Sequence, residues 1–345
     1  MAIEYRKLGP AGAIVTKFCL GAMTFGAEAD EATSHRLIDD FAKAGGNFID
    51  TADVYSTGAS ETIIGKWLKS RPTEAKQMVI ATKARFPMGP GPNDIGLSRR
   101  HLSEALSASL RRLGLEQIDL YQMHGWDALT PLEETLRFLD DAVRAGKIAY
   151  YGFSNFLGWH VAKASELAKA RGFARPVTLQ PQYNLLVRDI EHEVVPACLD
   201  AGMGLLPWSP LGGGWLSGKY QRDTTPTGAT RLGENPNRGM EAYAARNAEA
   251  RTWAIIGAVE TIAKSRGVSL AQVALAWVAA QPAVTSVILG ARNSKQLADN
   301  LKAASLTLEA DDMATLSAVS APQMADYPYG KGGIAQRHRK MEGGR

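Results

Sequence analysis

Eight times along this chain a short apolar run stops at a polar or glycine-bearing turn and an amphipathic stretch follows. The apolar runs fall at 15–20, 48–50, 78–83, 118–124, 148–154, 177–182, 204–208 and 284–289. The helical stretches follow at 34–44, 60–70, 98–113, 131–145, 158–171, 189–201, 252–266 with 269–281, and 294–304. Gly45-Gly46 marks a helix C-terminus, and Pro131 suits a first helical turn. No linker interrupts the series. Strands separated by crossover helices run parallel, and eight such units over this length fit a closed (β/α)8 TIM barrel. The competitor, an open doubly wound sheet, requires a glycine-rich turn after an early strand, and the chain has none.

Three pieces lie outside the repeat. Residues 4–8 and 14–16, around Pro10-Ala11-Gly12, form a predicted hairpin that plugs the amino end of the barrel. Residues 219–250 make a long insert after the seventh strand, and a tail follows Ala321. One barrel domain over 1–321 and a partly disordered tail over 322–345 are therefore expected. The chain's 345 residues, 45% of them hydrophobic, suffice for such a domain. A net charge of +4, evenly spread, argues against nucleic acid. Cys19 and Cys198 have no metal or redox spacing and read as buried thiols. Without a leader or a run of eighteen apolar residues, a cytoplasmic protein with no membrane partner and no metal is expected. Its oligomeric state is left open.

Polar residues stand at successive strand ends: Asp50 after the second, Lys83 after the third, His124 after the fourth. Tyr55 lies five residues past Asp50. Adjacent strand ends of a parallel barrel are neighbours, so the four can converge. A phenol is a poor acid at neutral pH, a nearby ammonium makes it more acidic, and a carboxylate holds the ammonium in place. An imidazole can orient a substrate oxygen. Such a set suits proton transfer to a carbonyl, with a separate hydride source. Taken singly, each residue has a structural reading: a capping Asp, a packing Tyr, a solvated Lys.

The second half of the repeat offers a cofactor surface. Ser154, Asn155 and Gln180 carry groups that suit a carboxamide, and Trp208 can stack on a planar ring. Gly290-Ala-Arg292-Asn-Ser294 leads into a helix and reads as an anion site. The stretch 212–218 has an equally good reading as an ordinary flexible loop. Met23, Phe25, Phe86 and Trp126 could form an apolar mouth for substrate, against a structural alternative for each.

Several motifs in order resemble the aldo-keto reductase family over about residues 4–320: Leu20-Gly-Ala-Met-Thr-Phe-Gly26, Phe48-Ile-Asp-Thr-Ala-Asp-Val-Tyr55, Ile80-Ala-Thr-Lys83 and Asp119-Leu-Tyr-Gln-Met-His124 in the first half. Gly152-Phe-Ser-Asn155, Gln182-Tyr-Asn184, Trp208-Ser-Pro-Leu-Gly212 and Gly290-Ala-Arg292 continue it. The resemblance implies reversible, nicotinamide-dependent reduction of a small aldehyde or ketone. Tyr55 would be the general acid, assisted by Lys83 and Asp50, with His124 orienting the carbonyl. Ser154, Asn155 and Gln180 would hold the carboxamide, with Trp208 beneath the ring and the turn from Gly21 to Met23 closing over it. Ser209, Leu211, Gly213 and Lys219 would track the pyrophosphate. Gly290, Arg292, Gln296, Asp299 and Asn300 would hold the adenosine and any 2′-phosphate. NADP(H) is favoured through Arg292, and NAD(H) is the alternative because Gln296 stands where many members have Arg. The insert looks like the cofactor-covering loop of the branch that includes potassium-channel β subunits, with Arg231 on phosphate, or else it is a mobile surface loop. Two further functions stay open: an NAD(P)-linked alcohol or sugar dehydrogenase, and a redox-sensing auxiliary subunit.

Overall fold

The computed structural model describes residues 3–330 apart from 229 and 238. Two three-residue strands, β1 (Tyr5–Lys7) and β2 (Ile14–Thr16), pair antiparallel with Tyr5 opposite Thr16. The parallel sheet then comprises β3 (Phe18–Gly21), β4 (Phe48–Asp50), β5 (Val79–Ala84), β6 (Ile118–Met123), β7 (Ile148–Ser154), β8 (Thr178–Gln180), β9 (Gly204–Leu205) and β10 (Val287–Gly290). From β3 to β9 each strand pairs with the next in sequence, and β10 returns to pair with β3. The seam between β9 and β10 is closed by the backbone: the Leu205 N–H donates to the Ala283 carbonyl at 2.7 Å, and the Ile288 N–H to the Pro207 carbonyl at 3.0 Å. The result is the expected eight-stranded (β/α)8 barrel with its amino-terminal hairpin.

The sequence misplaces some boundaries, for local reasons. The apolar run at 15–20 serves two elements. Residues up to Thr16 pair with β1, Lys17 donates its N–H to the Glu4 carbonyl, and from Phe18 the chain pairs with β10. The first helix, Glu31–Lys43, starts earlier than expected because the Asp30 carboxylate caps it by accepting the Thr33 N–H. The last strand starts later, at Val287, because Val284 bridges Leu205 and the Thr285 N–H donates to the Leu205 carbonyl, so the run meets β9 before it pairs with β3.

Alternation along the strands sets the interior. Cys19, Phe48, Ala81, Leu120, Leu206 and Ile288 form one buried cluster with Leu8 and Val15 of the hairpin. The hairpin therefore closes one end of the barrel by burying its own apolar side chains there. Gly9 turns this corner at φ 55°, and a Cβ on it would lie 2.1 Å from the Val177 carbonyl oxygen, so no other residue fits without backbone movement. Two residues further along the same inward rows, the apolar layer gives way to Asp50, Lys83 and Gln122, with Gln180 from β8 beside them, all buried. A polar layer this deep needs partners throughout, and it has them.

The insert after β9 is folded. Trp215 is buried, stacked on Tyr243 at 5.4 Å and edge-on to Tyr220 at 5.2 Å. Its indole N–H donates to the Glu241 carbonyl, and Gln182 donates to the Glu241 carboxylate. These contacts tie both ends of the insert to the second half of the barrel. Residues 331–345, most of the expected tail, lie outside the described residues. Tyr329, within them, donates to Glu193 and stacks near His192. Among the described residues no helix is long and apolar enough to cross a membrane.

Candidate active site

The β4 row delivers Asp50 to the carboxyl end of the barrel, and β5 delivers Lys83 beside it. The Lys83 ammonium donates to Asp50 Oδ2 at 2.6 Å, to the Thr51 carbonyl at 2.7 Å and to the Tyr55 hydroxyl at 3.3 Å. Three acceptors use all three of its N–H bonds, so the ammonium has one fixed position. The loop after β4 places Tyr55: the Asp53 N–H donates to the Lys83 carbonyl, and the Tyr55 N–H to the Ala52 carbonyl. His124, one residue past β6, donates its N–H to the Ala84 carbonyl and meets the Tyr55 ring edge-on at 5.7 Å. Four groups placed together from the sequence are thus together in space.

Electrostatics refine the expectation for the phenol. Burial is the largest influence and pushes Tyr55 up. The Lys83 ammonium pulls it back but does not prevail, so the phenol titrates above its ordinary range rather than below it. It is protonated at neutral pH. Burial alone would discharge Lys83, but Asp50 and Tyr55 together hold it above the usual lysine range. His124 lies well below an ordinary histidine, through burial first and then Lys83 and Arg85, and is a neutral imidazole.

Gln180 departs from its expected role. Its amide N–H donates to Asp50 Oδ1 at 2.8 Å, and Gln122, which the sequence reading omitted, donates to the same oxygen at 3.1 Å. Both amides orient the carboxylate that orients Lys83, and both are fully covered. The signal for Gln122 was its inward position, two residues beyond Leu120.

Ser154 and Asn155 meet Trp208 at the rim. The indole N–H donates to Asn155 Oδ1 at 3.1 Å, Asn155 donates to the His124 carbonyl at 3.0 Å, and Ser154 donates to the Gln180 carbonyl at 2.8 Å. Ser209 and Gly213 adopt φ 52° and 66°, and the Gly213 N–H donates to Ser209 Oγ. A Cβ on Gly213 would come within 3.1 Å of Glu241, with Arg231 next nearest, so the turn is bare by necessity. Leu211 is half-buried and Lys219 exposed. Gly21 pairs with Gly290 and Asp50, where a Cβ would strike Ile288 at 2.7 Å, and Met23 is 39% exposed.

At the far end, Gln296 accepts the Arg292 N–H at 2.9 Å and Asn300 donates to the Gly290 carbonyl at 3.3 Å. Arg292 is held bidentately by Glu234 of the insert, at 2.6 and 2.9 Å, with Glu28 at 3.5 Å. Asp299 does not join this group. Its carboxylate accepts from Ser269 and Gln272 at 2.9 and 2.7 Å and ties two helices together. Phe25 also departs from expectation: it is fully buried in the core, because the turn at Gly26 closes on Ala29. Phe86 packs edge-on to His124 at 4.7 Å, and Trp126 stacks flat on His160 at 3.9 Å.

Asp53, behind the pocket, carries a separate consequence. Burial first, then the Glu61 carboxylate, push its carboxyl from the ordinary 3.8 to about 7, against the pull of the Val54 N–H, Arg112 and Lys83. A folded-state value above the unfolded one stabilises the fold below the unfolded value, and this is lost as pH rises to the folded value. We expect up to about 4 kcal/mol of stability to disappear between about pH 4 and 7. Urea titrations of Asp53→Asn should show that slope flattened; an unchanged slope would remove Asp53 as its source.

The donor set fits a dinucleotide: a half-exposed indole, an exposed primary amide, a bare glycine turn and a distal guanidinium. Comparison with known proteins agrees with this picture. The model of the Aldo/keto reductase family matches residues 17–321. The chain is 38% identical to the "Uncharacterized oxidoreductase YrpG" of Bacillus subtilis (strain 168), covering 91% of this chain and 95% of that protein. It is 37% identical to a "Probable voltage-gated potassium channel subunit beta" of Oryza sativa subsp. japonica, over 87% and 91% of the two chains. It is 36% identical to the "Versiconal hemiacetal acetate reductase" of Aspergillus parasiticus, over 83% and 88%. With its closed barrel and polar mouth, this chain belongs to the aldo/keto reductase family.

Proposed function

We propose that the chain reduces small aldehydes or ketones to alcohols, reversibly, with Tyr55 as the proton donor. Family membership supports a carbonyl-reducing oxidoreductase. The observation that carries the finer reading is the buried Lys83–Asp50 ion pair aimed at the Tyr55 hydroxyl. A nicotinamide dinucleotide, when bound, supplies the hydride. The rest is the work of side chains. Neutral His124 donates to the carbonyl oxygen and sets its direction toward Tyr55. As that oxygen gains electron density, the phenol gives up its proton to it. The negative charge left on the phenol is met by the Lys83 ammonium, which Asp50, Gln122 and Gln180 keep in place. In the alcohol-oxidising direction the same phenol oxygen takes the proton back.

Trp208, Asn155 and Ser154 would hold the nicotinamide end, and the turn from Ser209 to Gly213, with Lys219 and Arg231, the pyrophosphate. Arg292, Gln296 and Asn300 would take the adenosine end. NADP(H) is the favoured cofactor, with the Glu234 clasp on Arg292 exchanging for the 2′-phosphate. Reduction of 4-nitrobenzaldehyde, followed at 340 nm with NADPH and with NADH, tests the reading; no turnover with either would refute it. Arg292→Met should weaken NADPH by about 10- to 100-fold in kcat/KM, the range for charge-assisted hydrogen bonds, and affect NADH far less. Equal effects on both would remove Arg292 from phosphate recognition. Location in the cytoplasm accompanies this reading as a proposal.

A further inference from the structure

Arg85 follows β5 directly, two residues past Lys83. Its guanidinium lies over the Phe86 ring at 5.1 Å, and the same ring meets His124 at 4.7 Å. Arg85 Nε donates to the Trp126 carbonyl at 3.2 Å, which fixes the plane of the guanidinium. Among the described residues, no carboxylate comes within ion-pairing distance of it. Arg6, Arg71, Arg112, Arg188, Arg246 and Arg292, also covered, each hold a carboxylate, and half-covered Arg251 is held by the Ser320 and Ala321 carbonyls. The acid nearest in sequence, Asp127, is already engaged by the Leu97 and Leu129 N–H groups and the Thr130 hydroxyl.

Arg85 feels the charge of Asp127 but pairs directly with no described carboxylate, so an incoming anion can take its terminal nitrogens and offset the cost of covering the cation. With Nε committed to Trp126, the two terminal nitrogens remain as a planar pair, matching the two oxygens of a carboxylate. We propose that Arg85 anchors the carboxylate of a substrate whose carbonyl is held at Tyr55 and His124, so that the preferred substrates are short carbonyl compounds bearing a carboxylate. Phe86, which touches both the Arg85 guanidinium and the His124 ring, lies between the two positions. The inference rests on the reductase reading above and names its substrate class.

The test compares 4-carboxybenzaldehyde with methyl 4-formylbenzoate, which carry the same ring and aldehyde and differ in the charge at the far end. The wild-type protein should favour the acid in kcat/KM. In Arg85→Met the acid-to-ester ratio should fall by about 10- to 100-fold, and Arg85→Lys should retain part of it. A wild type that turns over the ester but shows no preference for the acid, or a preference that survives in Arg85→Met, overturns the proposal while leaving the reductase reading intact. If neither aldehyde is reduced, that reading fails instead. Calorimetric binding of 4-(hydroxymethyl)benzoate to the full chain then decides the anchor: tenfold weaker binding in Arg85→Met supports it, and equal binding overturns it.

Discussion

Tyr55→Phe lowers kcat/KM for aldehyde reduction by at least about a thousandfold on this account, within the upper range for loss of a general acid. The substitution removes one oxygen and little else. Phenylalanine keeps the ring's edge contact with His124 and gives up a single hydrogen bond, from Lys83 at 3.3 Å. Stability should therefore change by only about 1 kcal/mol. The phenol sits above its ordinary pKa because burial outweighs the ammonium, so it carries its proton throughout the neutral range. His124 is held neutral, and the Lys83 ammonium beside Asp50 is held above the usual lysine range, so neither gives up a proton readily at neutral pH. Steady-state kinetics with unfolding curves on the same preparations check both halves. Full activity in Tyr55→Phe would move the acid elsewhere.

Lys83→Met has a second large effect, on folding as well as catalysis. Both members of the Lys83–Asp50 pair are almost completely covered, with side-chain exposures of 0% and 3%. Removing one partner leaves a buried carboxylate whose remaining donors are the neutral amides of Gln122 and Gln180. Breaking a buried pair this way costs about 3–5 kcal/mol, whereas replacing both members is often neutral. Lys83→Met should thus be destabilised by that amount and lose at least about a hundredfold in kcat/KM. The double variant Asp50→Leu/Lys83→Met should regain most of the stability and none of the activity. Recovery of activity in the double variant would show that the pair serves only the fold.

The barrel was legible because its signal is repeated and local. Each strand is a short apolar run and each helix an amphipathic one, so errors at single boundaries leave the count unchanged. The tetrad was legible for a related reason, since Asp50, Lys83 and His124 stand where apolar runs end. What escaped the sequence depends on direction in space. Phe25 lies in a matching motif, yet the turn after it buries the ring. Asp299 lies one helical turn from Gln296, yet it faces Ser269 and Gln272. Gln180 lies in its expected strand but reaches inward to Asp50. The Glu234–Arg292 clasp joins residues 58 apart, across an insert whose path no periodicity encodes.

Mass spectrometry of the alcohol formed with NADPH deuterated at both C4 positions reaches the central claim most directly. The account predicts one deuterium on the carbinol carbon with the wild-type protein and no labelled alcohol above background with Tyr55→Phe. Unlabelled alcohol from the wild type, or labelled alcohol formed at the wild-type rate by Tyr55→Phe, would contradict it.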